Sequence, residues 1–189
     1  MAFEDYQTKD SVVIVYTGNG KGKTSASVGL MARALGRGFT VAFVQFIKTW
    51  PTGEHQFIEQ VMPSFKNQLT FYKGGKGFYN AGELSEAKVS ETEHREAARS
   101  TFDFALDCAK SDDYDIVICD EISNAVHDGL LSAKDLNKLL ESRAKKTSLC
   151  LTGRNFPEEL LGKADIVTSM TKVKHHFDDK FLANVGIDY

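Results

Sequence analysis

Apolar and polar positions along this chain follow two alternating periods. Short runs rich in β-branched and aromatic residues, at 12–16, 40–47, 68–72, 115–120, 147–152 and 165–169, predict six strands. The second run is apolar enough to be covered on both faces. Between the runs, apolar residues recur at spacings of three and four. Leu30, Met31, Ala34 and Leu35 share a face of a segment that stops at Gly36-Arg37-Gly38. A short helix is expected over 54–61, and a long one over 85–110 carrying Ala98, Thr101, Phe102, Ala105 and Ala109. Ser132-Ala133-Lys134-Asp135 reads as a capping box ahead of Leu136, Leu139 and Leu140, and a further short helix is expected over 156–161. Strands alternating with helices predict an α/β fold, a mostly parallel sheet of about six strands with helices on both faces. No repeat, low-complexity tract or proline-rich linker interrupts the pattern, so one domain spanning 1–189 is the simplest reading.

The stretch Thr17-Gly18-Asn19-Gly20-Lys21-Gly22-Lys23-Thr24-Ser25 lies between the first strand and the first helix. Strand, glycine-rich loop and helix in that order form a phosphate loop. Glycines let backbone N–H groups approach phosphate oxygens, and the helix N-terminus adds partial positive charge. Lys23 supplies a full charge, and Thr24 offers a hydroxyl to a Mg²⁺ bridging phosphate oxygens. The first position of the usual pattern is Thr17 here, with Gly18 one step late. The plain alternative is a glycine-rich hairpin that happens to contain Gly-Lys-Thr.

Open parallel sheets bind ligands at the carboxyl ends of their strands, and four features fall there: the loop at Thr17, Lys48 to Trp50, Asp120-Glu121, and Gly153-Arg154. Asp120 and Glu121 close an apolar strand, where a Mg²⁺-organising carboxylate belongs, and either one is a candidate ligand beside Thr24. A solvated strand end or a helix cap is the alternative. Arg154 is a candidate bidentate partner for phosphate, against the reading of a plain surface arginine. Lys76-Gly77-Phe78-Tyr79 mixes bases with aromatics, as either a lid over a flat ligand or a connector. His94, in a charged helical turn, is expected on a solvated face. The adjacent His175 and His176 cannot both face one metal from a regular helix.

Composition narrows the partners. Net charge is −3 over 189 residues, with acids and bases interspersed, so no basic face points to nucleic acid. Cys108, Cys119 and Cys150 are scattered and lack C-x-x-C spacing, which favours buried thiols in a reducing cytoplasm. No apolar run approaches the ~20 residues of a membrane span, and the acidic N-terminus does not resemble a signal peptide. No Ser-His-Asp or Cys-His arrangement stands out. The residues alone therefore lead to a Mg²⁺-dependent nucleotide-binding α/β domain.

Together these residues resemble the ATP:corrinoid adenosyltransferase family, over nearly the whole chain. The landmarks are Tyr16 to Thr24, Val44-Gln45-Phe46-Ile47-Lys48, Gly53-Glu54, Gly77-Phe78, Asp120-Glu121, Thr152-Gly153-Arg154, Val173-Lys174-His175 and Gly186-Ile187-Asp188-Tyr189. The resemblance implies a phosphate-loop, RecA-like fold in which corrinoid Co(I) attacks the 5′ carbon of ATP and triphosphate leaves. ATP lies reversed in the loop of such enzymes, with Mg²⁺ held at Thr24, Asp120 and Glu121. It also implies an electron donor such as a flavoprotein. Members of the family often form dimers, so a homodimer is among its expectations. Phe78 matches a family aromatic that displaces the lower axial ligand of the corrinoid; the position of a second such aromatic, a tryptophan, is Asn80 here. The chain also lacks room before its first strand for the capping helix of some members. A RecA-like ATPase or a regulatory ATP-binding module is the alternative, separable by product.

Overall fold

The computed structural model describes residues 5–77, 79 and 89–189. Six strands form one sheet: β1 (Val13–Thr17), β2 (Val41–Gln45), β3 (Leu69–Lys73), β4 (Ile116–Asp120), β5 (Ser148–Thr152) and β6 (Ile166–Ser169). Their order is β3-β2-β4-β5-β1-β6, and every pairing is parallel. β2, β4, β5 and β6 lie within the segments that the pattern predicts, shortened by one to three residues, while β1 and β3 are each shifted one residue later, ending at Thr17 and Lys73. β2 and β4 are buried along their whole length, as strands covered on both faces must be.

The helices divide between two layers. α1 (Lys23–Leu35) and α2 (Gly53–Val61) seal one face, where Met31, Leu35 and Ile58 pack on Val41, Phe43 and Ile118. α3 (Glu91–Lys110), α4 (Ile122–His127) and α5 (Ala133–Ser142) cover the other, with Phe102, Leu106, Leu136 and Leu139 against Val44, Val117 and Leu149. α3 starts at Glu91, and residues 89 and 90 stand outside it; the part of the predicted helix over 85–88 lies outside the described residues. Ser90 caps α3 in an extended conformation, its side chain accepting the Glu93 N–H and its own N–H donating to the Glu93 carboxylate. The short helix expected at 156–161 is a 3₁₀ turn over Glu158–Lys163, set by Pro157 just ahead of it. α4, six residues long, has no sequence period to betray it.

His94 departs from its expected exposure. It is only 6% exposed, and its ring lies 5.4 Å from that of Tyr79. The charged neighbours Glu93 and Arg95 turn outward while His94 shares the inner stripe with Ala98, so the local charge misleads. All three cysteines are free and buried. Among the described residues no helix is long and apolar enough to cross a membrane.

α3 and α5 are joined by a two-pronged pair in which Arg99 donates to both Asp135 oxygens, at 2.8 and 3.1 Å. Arg99, then Ser132, hold the Asp135 carboxyl at about 2, against an ordinary value of 3.8. A depressed acid stabilises the fold above its unfolded pKa, and that contribution fades as pH falls through the folded one. Asp135→Asn should therefore cost about 1 kcal/mol at pH 7, since Arg99 is half-exposed and screened. Denaturant titrations should show this gap narrowing by about half at pH 3; a gap that does not change with pH would refute the ion pair as its source.

Candidate active site

The loop of residues 17–22 leaves β1 and runs directly into α1. Gly22 takes φ +110° immediately before the helix, a conformation that side chains rarely adopt. Lys23 curls back, and its Nζ donates to the carbonyls of Gly18 and Gly20 at 2.7 Å each, which closes the loop. Burial, then the nearby Arg154 charge, lower the Lys23 ammonium from its ordinary value. A group in that state gains most from an anion.

Beneath the loop sits Asp120, fully buried at the end of β4. Its Oδ2 accepts the Thr24 hydroxyl at 3.0 Å and its Oδ1 the Thr152 hydroxyl at 2.6 Å, with Ser27 Oγ 3.4 Å away. Thr152 also accepts the Glu121 N–H at 2.9 Å, so one hydroxyl links β5 to both carboxylate residues. Glu121 itself has φ +64°, a strained turn from β4 into α4 that aims its side chain into the cleft. Burial, then the Asp120 charge, push the Glu121 carboxyl up to about 7. Gln45 Nε2 donates to Glu121 Oε2 at 3.2 Å. Gln45 Oε1 is buried with no hydrogen-bond partner among the described residues. Lys48 pairs with Glu54 at 2.8 Å; burial would lower its ammonium, but Glu121 and Glu54 outweigh that and raise it.

The strand ends surround a cleft of about 1240 Å³ whose walls include Lys21, Lys23, Thr24, Lys48, Glu121 and Arg154. All four strand-end features singled out by the sequence thus meet at one opening. Thr17 stands apart at the loop's entry, its hydroxyl 3.4 Å from the Phe156 N–H. Gly153 carries Arg154 to the rim: with φ +141°, and Ser123 Cβ 2.7 Å from where a Cβ would stand, only glycine fits there. The Arg154 N–H is held by Asn124 Oδ1 at 2.7 Å. In the 73–82 segment, Gly74 N–H and Gly77 N–H donate to the Gln45 and Ile47 carbonyls, so its first half is pinned beside β2. Phe78 and Asn80 lie outside the described residues.

Residues 170–189 supply a wall that strand and helix patterns did not mark. Met170 is clamped to the loop, its N–H donating to Thr17 O and its carbonyl accepting the Gly20 N–H. Farther on, Asp188 pairs with Lys21 at 2.9 Å. His175 and His176 both turn toward Asp188, their rings 4.7 Å apart, His176 opening a 3₁₀ turn and His175 in the extended position just before it. Close approach of the Met170 backbone explains Gly18 and Gly20: added Cβ atoms would meet Met170 O at 2.4 and 2.7 Å.

A phosphate loop between β1 and α1, with an acidic β4 end beneath it, defines a phosphate-loop nucleotide-binding α/β protein. The particular family follows from comparison. The family described as ATP:corrinoid adenosyltransferase BtuR/CobO/CobP matches residues 9–189, and the chain belongs to it. The chain is 34% identical to the corrinoid adenosyltransferase of Escherichia coli K12, over 97% of this chain and 88% of that one. It is also 34% identical, with the same coverage, to that of Salmonella typhimurium. The Pseudomonas aeruginosa enzyme is 31% identical over 94% of this chain and 83% of its own. The crystal structure of the flagellar accessory protein FlaH from Methanocaldococcus jannaschii shares the fold, with a TM-score of 0.51 and 13% identity over 85% of this chain and 71% of that one. ATP and a corrinoid are the substrates that the family implies.

The contact between loop and tail is open to a direct test. Gly20→Ala should lower stability by about 1–3 kcal/mol, because the new methyl overlaps main chain rather than a flexible side chain. Limited proteolysis should then cut more readily within residues 171–185. Wild-type melting and cleavage in this variant would disprove the close packing.

Proposed function

We propose that the chain transfers the 5′-deoxyadenosyl group of ATP to the Co(I) of a corrinoid, and that the cleft described above is where it does so. The observation that carries this reading is the full-length kinship joined to the cleft. At about 1240 Å³ that cleft exceeds the few hundred to 1000 Å³ typical for one small ligand, leaving room for two. Co(I) donates its electron pair to C5′, the C5′–O5′ bond breaks, and triphosphate departs with the bonding pair, leaving cobalt formally Co(III).

The work of the protein is then to hold the nucleotide and to stabilise charge growing on the leaving oxygen. Backbone N–H groups of Gly18, Asn19 and Gly22 would face the phosphates, while Gly20, whose N–H is given to Met170 O, shapes the loop, with Thr17 and Ser25 bounding it. Lys21, Lys23 and Arg154 supply positive charge. Thr24, Asp120 and Glu121 fit a hard cation: a hydroxyl 3.0 Å from a buried carboxylate, beside a second carboxyl raised by burial and then by its neighbour, is an oxygen donor set suited to Mg²⁺. Mg²⁺ bound there would neutralise phosphate oxygens. No general base is needed, because neither water nor a hydroxyl is activated. Phe78 is assigned to displacing the lower corrinoid ligand on family resemblance alone.

Buried free thiols support a reducing cytoplasm, and the single continuous sheet supports one domain. A flavoprotein electron donor and a homodimer complete the reading by family analogy.

Purified protein given ATP, Mg²⁺ and Co(I)alamin should develop the cobalt–carbon absorption spectrum and release one triphosphate per product. ADP and phosphate without that spectrum would instead indicate the RecA-like ATPase reading. Lys23→Ala should lower kcat/KM about 100-fold or more, since charge-assisted bonds contribute about 1.5–3 kcal/mol each. Near-normal turnover would remove Lys23 from the machinery. Phe78→Ala should impair cobalt reduction and spare ATP binding; equal loss of both would make it structural.

A further inference from the structure

The Lys21–Asp188 pair is an unusual feature of a site read as a polyanion cradle. The loop lysine that faces the cleft is already matched by a carboxylate at 2.9 Å. Asp188 is no loose surface acid, for its side chain is only 8% exposed, against 43% for Lys21. Its second oxygen accepts the Asn184 N–H at 2.8 Å, and the Asp188 N–H returns to Asn184 O at 2.8 Å, so a tight turn presents the carboxylate. His176 Nε2 lies 3.5 Å from Oδ2 and His175 Nε2 4.0 Å from Oδ1. Met170 anchors the start of the same segment to the loop, and the Tyr189 main chain reaches the start of α2, 3.9 Å from where a Gly53 Cβ would stand. The segment thus crosses the cleft from the loop to the opposite wall and carries its carboxylate to the loop lysine.

Two anions, the Asp188 carboxylate and a phosphate oxygen, cannot both bind Lys21 fully in this geometry. A triphosphate entering the cradle brings several negative oxygens within a screening length of about 8 Å of Asp188. Like charges at that range repel, and Lys21 has one ammonium to share. We propose that Asp188 is an internal counter-ion of the phosphate loop: it neutralises Lys21, is displaced from it by triphosphate, and returns to it as triphosphate leaves. The residue therefore weakens nucleotide and product binding, and it keeps the leaving group from being retained after transfer. This rests on the reading of the cleft as a triphosphate site.

The sign of the effect separates this role from that of a plain structural anchor. An anchor predicts weaker binding when it is removed, whereas a displaced counter-ion predicts tighter binding. Asp188→Asn keeps the shape and an acceptor for the Asn184 N–H, and Asp188→Ser serves as a second variant should the first not fold. Isothermal titration with Mg²⁺ and either ATP or inorganic triphosphate, without corrinoid, should show both ligands bound about three- to tenfold more tightly by the variant. In a Lys21→Gln background the same change should give less than half that gain. Unchanged or weaker binding by Asp188→Asn overturns the proposal, as does a gain of equal size in the two backgrounds. A wild-type protein that binds neither ligand overturns the reading of the cleft, and this inference with it. Wild-type binding with no gain in the variant overturns this inference alone.

Discussion

The buried carboxylate of Asp120 is the constraint to which the rest of the site answers. A charge taken fully out of water is costly unless its oxygens are satisfied. Asp120 meets that demand with hydroxyls from three places, namely Thr24 and Ser27 on α1 and Thr152 on β5. Satisfying it therefore fixes the first turn of α1 against β4, and with it the phosphate loop that opens the helix. The same Thr152 hydroxyl receives the Glu121 N–H and so holds the strained turn that directs the second carboxyl into the cleft. One buried acid thus sets the register among β4, β5 and α1, and the proposed cation donor set of Thr24, Asp120 and Glu121 results from that register.

Much of this was legible in the chain because the relevant signals are local. A strand buried on both faces must be apolar throughout, so β2 and β4 stood out, and glycines ahead of Gly-Lys-Thr have few other uses. Asp120, Glu121 and Arg154 could be found because ligands in parallel sheets collect at strand ends, a rule that needs no tertiary contacts. What escaped depends on contacts between distant residues. The inward turn of His94 reflects packing against Tyr79, which outweighs the charges beside it in sequence. The partnership of Gln45 with Glu121 spans 76 positions. The start of α3 was set by the Ser90–Glu93 box, a signal present in the sequence but overrun by a helical pattern that extends upstream.

The segment after β6 was the least legible part, for a physical reason. It has little regular structure, so it follows neither period, and many of its apolar side chains stay exposed, among them Val173, Phe181, Leu182 and Val185. Its placement rests on main-chain bonds from Met170 and on the charge of Asp188, neither of which leaves a pattern. Yet it accounts for two glycines of the loop that phosphate chemistry alone appeared to explain. Gly18 and Gly20 are small on their outer side because Met170 lies there, and the Gly20 N–H bonds the Met170 carbonyl, in a loop that on the proposed function must also cradle an anion. The same residues answer two demands, one from each side of the loop.

This double use bears on how a phosphate loop serves alkyl transfer instead of phosphoryl transfer. Cleaving a terminal phosphate requires an acceptor in line with that phosphate, and the rest of the nucleotide merely has to be held. When the whole triphosphate leaves, the charge develops at its far end, and the enzyme must first stabilise and then release an anion more highly charged than the bound ester. A cradle built only of cations would favour the first step and oppose the second. Here cationic groups are interleaved with acids of the protein itself: Lys48 with Glu54 and Lys21 with Asp188. The cleft is close to neutral by its own means. On the proposal made for Asp188, binding exchanges an internal partner of Lys21 for phosphate oxygens, and that moderates affinity for substrate and product alike.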